Sequence, residues 1–444
     1  MSDHELPLPV ESVAEPEIAA PPAEPVAPVE LASRIGEMDI LRGFAVFGIF
    51  LVNMPLFNGV NATFFNNART GMWPAWFDQA ALWFIQVFAQ AKFYTLFSLL
   101  FGLGFGVQMI RAEAKGSAGF LRFFSRRLGV LLAIGLAHLF LVWWGDVLHV
   151  YALLGFPLLL FRKSAQKTLA IWALAMTLMP WVGGLGYFSF RAIVPEKKDP
   201  KKEEERLKKR VENRAKAKQD REKETKILGS GSYFEIVKYR APNNVRHMAA
   251  EIGWSIELFA SFLAGLWLAK SGKLANPSAH LPFFGRILRC GLAAGLCGTI
   301  GMLCFRARGG PDAPDFVGFL EAMFQELFAR PGVAAFYAAA VVLLAQSQFW
   351  RRLLTPLSAA GRMALSNYLF DSLLCTTIFY GYGFGYFGKL GFAGGLALTI
   401  GLYLCQVPLS VWWLSRYRFG PAEWVWRSLT YGKAQPMRSA GVIR

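Results

Sequence analysis

Charged residues are scarce in this chain. Of its 444 residues only 17% are Asp, Glu, Lys or Arg, against roughly a quarter in soluble domains. That leaves too little polar surface for an ordinary soluble enzyme. Cysteine is sparse too: Cys290, Cys297, Cys304, Cys375 and Cys405 are the only five. No two of them form a CxxC pair, which excludes zinc-knuckle and dithiol redox readings, so neither a metal nor a redox cofactor is expected. All five fall within apolar runs, where a thiol serves as a small packing residue.

Apolar residues take up the difference, at 54% hydrophobic and 15% aromatic. Runs of about 18 or more recur, long enough to cross roughly 30 Å of hydrocarbon as a helix. Helix is required there because lipid cannot satisfy free backbone groups. The reading is an all-α polytopic bundle with about ten spans, near 39–57, 91–110, 124–144, 147–162, 168–189, 248–269, 283–305, 317–345, 360–381 and 389–413. Segment 76–90 is apolar but short, and reads as an interfacial or broken helix leading into the second span.

The formal charge of +17 does not point to nucleic acid, because the basic residues sit at the ends of apolar runs rather than on one module. With the N-terminus inside, the cytoplasmic loops and C-terminal tail carry twenty-one Lys and Arg, and the short outer loops carry only Arg69, Arg306, Arg308 and Lys389. That bias sets both termini in the cytoplasm of a bacterial inner membrane.

Five regions follow. Residues 1–33, rich in Pro, Ala, Glu and Val, read as a disordered cytoplasmic tail. Residues 34–189 form an N-terminal membrane half, and residues 190–247 a charged extramembrane insertion. Residues 248–435 form a C-terminal membrane half, and 436–444 a tail. Within the insertion, residues 196–226 hold fourteen basic and nine acidic side chains, the pattern of an exposed charged helix laced by i,i+4 pairs.

Three polar groups interrupt the apolar runs. At about 100° per residue, Asp39, Arg42 and Asn53 lie within about 60° of one another on the first span. They read either as an interfacial ion pair anchoring the helix or as a substrate-binding stripe. In GLAHLFLVWWGDVLHVYALLG, His138 lies in the outer half of one span, and Asp146 and His149 at the outer turn. A carboxylate three residues before an imidazole could orient it as a general base, or the group could be a cap and a packing histidine. In GRMALSNYLFDSLL, Asn367 and Asp371 are one turn apart. They offer either a binding site or a hydrogen-bonded helix junction. GLGFG at 102–106 has no preceding strand, so it reads as close helix packing rather than a nucleotide loop. YRFGPAEWVWRSLTYG, just past the last span, suits an interfacial helix.

Taken in order, MDILRGFAVFGIFLVNM, GDVLHVYALLG, GRMALSNYL and FGPAEWVWRSLTYG resemble the YeiB-like family of bacterial membrane proteins, which share a domain of unknown function. Asp371 stands where that family is expected to carry glutamine. More distantly, the first span is similar to that of membrane acyltransferases that pass acyl groups from a cytoplasmic thioester to an extracytoplasmic sugar or polymer. In those, an arginine is followed, after ten residues, by a histidine. Arg42 matches the arginine, and Asn53 occupies the histidine position. An amide cannot titrate near neutral pH, so the resemblance implies the fold more strongly than the activity.

The resulting expectation is an acyltransferase-like protein acting on an envelope glycan or lipid, with acyl-coenzyme A as candidate donor. Arg42 stands at the donor end, and His149 with Asp146 at the acceptor end. His149 is preferred over His138 because it lies nearer the outer surface. A transporter or flippase lined by Asp39, Arg42, Asn53 and Asp371 is the alternative, and a non-catalytic envelope scaffold a third. The bilayer is the expected partner.

The topology is tested by cysteine labelling in a background with the native thiols replaced. Ser117→Cys should react only from the cytoplasm and Ser230→Cys only from outside. Reaction of both from one side would refute the map.

Overall fold

The computed structural model describes residues 36–59, 75–115, 119–194, 200–309 and 314–438. The 1–33 tail, Arg69, Ser117, the start of the charged run at 195–199, and residues 439–444 lie outside the described residues. Among the described residues every regular element is a helix, and the sole β-type contact is an isolated bridge between Tyr417 and Arg438. The protein is thus an all-α membrane bundle.

Among the described residues, seven helical stretches are long and apolar enough to cross a membrane: 36–58, 75–114, 120–142, 166–193, 277–308, 315–344 and 391–416. A pair bent by 59°, 233–250 with 253–270, would make an eighth. The expected fourth and ninth spans appear as shorter elements. One is an apolar helix over Leu148–Phe161 and the other a 16-residue helix over Ala364–Phe379.

α1 (Gly36–Asn58) is the hub, buried along most of its length despite Pro55. The second stretch is broken as its sequence suggests. α2 (Ala75–Phe84) runs into a π-turn at Ile85–Ala89, the helix is interrupted at Ala91 with φ 65°, and α3 (Lys92–Ala114) begins. α4 (Phe120–Ala137) also ends in a π-turn, His138–Val142, followed by the turn into α5 (Leu148–Leu158). α6 (Gln166–Ile193) leaves most of its side chains uncovered by the rest of the bundle, with Leu169 alone buried, and it extends past the boundary expected at 189.

The insertion folds as α7 (Pro200–Ser230) and α8 (Tyr233–Ala250). A capping box between Ser232 and Glu235 starts α8. α9 (Ile252–Lys270) lies deepest against α3, and the GLGFG run is the reason. A side chain on Gly102 would collide with the Phe262 backbone, and one on Gly106 with Ala269. These glycines therefore serve close helix packing.

The C-terminal half contributes α10 (Leu281–Arg308), α11 (Asp315–Phe324), α12 (Arg330–Leu344) and α13 (Gln348–Arg362). It is completed by α14 (Ala364–Phe379), α15 (Gly391–Arg416) and the short α16 (Pro421–Tyr431). A third π-turn, Gln325–Ala329, joins α11 to α12. Of the five thiols only Cys375 is buried, and the others lie on exposed helix faces, so the packing role expected of all five holds for one.

α13 docks across α1 at two glycines. A Cβ on Gly43 would strike the Leu357 carbonyl, and one on Gly361 the Asp39 carbonyl. Backbone blocks the extra atoms, so no side-chain rotation can relieve them. Gly43→Val should cost about 1–3 kcal/mol or more and lower the thermal midpoint of detergent-purified protein. An unchanged midpoint would show that the α1–α13 contact is not held this closely.

Candidate functional site

A cavity of about 570 Å³ opens between α1, α3, α4, α14 and α16. Six basic residues line one end of it: Arg42, Arg111, Lys115, Arg127, Arg362 and Arg427. They come together because antiparallel helices bring the start of α1, the end of α3 and the start of α4 to one face. Asp39 accepts a hydrogen bond from Arg42 at 2.9 Å. Arg127 stacks over Trp426 at 3.7 Å, and the Trp426 indole donates to the Arg127 carbonyl. That contact docks α16 as the roof of the mouth.

Beyond the mouth the walls are apolar, with Val46, Ile49, Phe50, Phe97, Leu100 and Leu131. The floor is polar: Asn53 on α1, Tyr151 on α5, and Tyr368, Asp371 and Ser372 on α14. Asp39, Arg42 and Asn53 all face this one cavity. Asn53 accepts from the Tyr94 hydroxyl at 2.5 Å, which fixes the amide with its oxygen engaged. Asp371 accepts from Gln406 at 2.9 Å, tying α14 to α15. Asn367 is absent from the lining and donates instead to the Ala360 carbonyl and to Ser410, each at 3.2 Å, so its work is at the helix junction.

Behind the floor stands a buried chain of acids and imidazoles. His138 Nδ1 meets Asp146 Oδ2 at 2.7 Å, and His149 Nδ1 meets Asp146 Oδ1 at 2.8 Å. The His149 backbone N–H also donates to Asp146, at 2.9 Å. His149 Nε2 is taken by Glu251 Oε2 at 2.8 Å. Both ring nitrogens of His149 are therefore engaged, whereas His138 Nε2 is buried with no hydrogen-bond partner. His138 packs against Tyr368, ring centres 5.2 Å apart, and Tyr368 lines the cavity. The Tyr368 hydroxyl has only long contacts, at 3.3 Å from the Val147 N–H and 3.4 Å to the Gly145 carbonyl. A base needs a free lone pair aimed by a second group. Nε2 of His138 is the ring nitrogen left without a partner, whereas both of those on His149 are taken.

The π-turn is what sets His138 against Asp146. It closes through the Trp143 N–H to the His138 carbonyl at 2.9 Å and leaves further carbonyls without helical donors. α8 supplies them. Asn244 donates to Leu139 O, Tyr233 to Leu141 O, and Arg240 to Val142 O, at 2.9, 2.9 and 3.0 Å. The insertion is thus part of the site's frame as well as an exposed charged helix.

Several functional candidates were not singled out from sequence. Glu251 is one. A second ionic group joins Arg330 to Glu257 and Glu326, with Thr95 accepting from Arg330 Nε at 2.6 Å. Glu257, Glu326 and Arg330 sit within apolar runs, and the rule that flagged Asp371 would have flagged them. Among the described residues no His, Cys, Asp and Glu group has metal-binding geometry.

Fold and cavity together define a polytopic helical membrane protein built around a deep chamber, basic at one end and polar at the other. The chain belongs to the YeiB-like family. It is 35% identical over 417 residues to "Uncharacterized protein YxaH" of Bacillus subtilis (strain 168), covering 91% of this chain and 96% of that one. It is 30% identical over 417 residues to "Uncharacterized protein YeiB" of Escherichia coli (strain K12), covering 90% and 97%. A 39.9 kDa protein from the amylase 3′ region of Bacillus acidopullulyticus, also uncharacterized, is 28% identical over 92% of this chain and 97% of its own. Residues 268–433 match the family model described as a protein of unknown function, DUF418. No solved structure matches the chain.

Glu423 pins α16 to the start of α14. Its carboxylate accepts from the Leu365 and Ser366 N–H groups at 2.7 and 3.1 Å and from the Ser366 hydroxyl at 2.5 Å. Burial pushes its carboxyl above the usual range, and these donors oppose that shift. Glu423→Ala strands three donors and should cost about 1–3 kcal/mol, read as a lower thermal midpoint. No change would mean water replaces the carboxylate at no cost.

Proposed function

We propose that this protein is an inner-membrane acyltransferase. It takes an acyl group from a phosphate-bearing thioester such as acyl-coenzyme A, bound at the basic mouth, and passes it to a hydroxyl-bearing envelope component at the polar floor. The observation that carries the reading is the single cavity joining Arg42 to Tyr368, with the His138–Asp146 pair directly behind Tyr368. Clustered guanidinium groups suit phosphate recognition. The apolar middle suits a pantetheine arm and acyl chain.

In this mechanism Asp146 holds His138 in the tautomer that carries its proton on Nδ1, leaving Nε2 bare. Tyr368 must swing aside, which its long hydrogen bonds make inexpensive. The acceptor hydroxyl gives its proton to His138 Nε2 as its oxygen bonds to the thioester carbon. The C–S bond then breaks, and the leaving thiolate takes that proton from His138. Asn53 positions substrate at the floor, and Asp39 aims Arg42 at the donor.

Coenzyme A itself is the probe for the mouth. It should bind the purified full-length protein and raise its thermal midpoint, and Arg42→Ala should weaken that binding about tenfold. Lipid and glycan mass spectrometry of a deletion strain should show an acyl decoration missing. His138→Gln should fail to restore it, with general-base loss costing roughly 10²–10⁴ in rate. An unchanged acyl profile in the deletion strain would overturn the enzyme reading in favour of transport through the same cavity.

A further inference from the structure

The hydrogen-bonded chain does not stop at His149. Glu251 grips His149 through Oε2 at 2.8 Å, and its other oxygen, Oε1, lies 3.6 Å from Nε2 of His247. The His247 side chain is 39% exposed, whereas Glu251, His149, Asp146 and His138 are all buried. Five titratable groups therefore run in line from the face carrying the insertion to the rear of the cavity floor. They come from four separate pieces of chain: the π-turn, the turn into α5 with α5 itself, the linker before α9, and α8.

One carboxylate cannot fully support two imidazolium ions. Asp146 gives one oxygen to each ring, so a positive charge on His149 repels one on His138 and draws on the same counter-ion. The other titratable or charged groups facing this chain are Tyr94 from α3, Tyr151 from α5, Tyr368 from α14 and Arg240 from α8. None of them is a carboxylate that could take over the role of Asp146.

We propose that His247, Glu251 and His149 form a proton-exchange line from the insertion face to Asp146, and that the charge state of His149 sets how strongly His138 accepts a proton. With His149 charged, Asp146 is shared and His138 is a weak base. When His149 releases its Nε2 proton to Glu251, and Glu251 passes it by way of His247 to water, Asp146 still accepts from the neutral His149 ring, but no imidazolium there repels a proton on His138, and His138 becomes a stronger base. One proton leaves the line for each His149 discharged, and the same line returns it. His149, Glu251 and His247 are positioning residues, since they act on the reaction through Asp146. Conditions on one side of the membrane thereby tune chemistry whose donor arrives from the other.

This inference rests on His138 as the base of the proposed acyl transfer, and its test needs no substrate. The chain has only five histidines, so ¹⁵N-histidine spectra of the full-length protein in lipid vesicles can be assigned by single substitutions. In the unaltered chain the His138 and His149 rings should titrate in two linked steps. His149→Gln should raise the His138 midpoint by about one unit, a tenfold gain in proton affinity. Glu251→Gln should slow exchange of the His149 ring proton with water at least tenfold. Independent titration of the two rings, an unmoved His138 midpoint, or unaltered exchange in Glu251→Gln would each overturn the proposal. Where His149→Gln does not fold, the linked titration of the unaltered chain decides. Coenzyme A binding and the acyl profile report on the enzyme reading separately, so either conclusion can fail while the other stands.

Discussion

A buried carboxylate must be met by hydrogen bonds and opposite charge, or it will not stay ionised within a membrane bundle. Asp146 meets that demand through two imidazoles and one backbone N–H. Much of the surrounding architecture follows from keeping those partners in place. The π-turn that carries His138 exposes carbonyls that α8 reaches. α8 therefore has to fold back onto the bundle, and the short turn from it into α9 delivers Glu251 to the far side of His149. Removing any one partner would leave an uncompensated charge or an unpaired carbonyl in low dielectric, which costs more than the bond itself contributes.

The same logic separates the two ionic clusters. Arg330 pairs with two carboxylates and a hydroxyl and lies outside the cavity lining, so it holds α3, α9 and α12 together. In the Asp146 cluster one buried ring nitrogen, His138 Nε2, has no hydrogen-bond partner.

Helical spans, the broken segment at 76–90, the packing glycines and the short helix α16 were legible because each rests on local pattern: apolar run length, missing side chains, amphipathic composition. The stripe of Asp39, Arg42 and Asn53 was legible for the same reason, since one helix sets its geometry. The surroundings of His138 and His149 were not. Depth along the helix favoured His149 as the base, but it could not show the partner on that ring's second nitrogen, from Glu251 more than a hundred residues away, or the π-turn that carries His138. Neither leaves a local trace. Asn367 likewise looked equivalent to Asp371, and only the position of α15 separates their roles.

The three π-turns, at 85–89, 138–142 and 325–329, each stand beside a polar cluster, and each is in effect one residue more than a regular helix needs. An extra residue offsets everything beyond it by about 100° of helical phase. Chain length in these three places is therefore information in its own right. Losing a single residue there, without altering any side chain, would turn the polar face of one helix half toward lipid and leave its partner facing a hydrocarbon wall. Between related chains, substitutions at these turns should be far better tolerated than gaps.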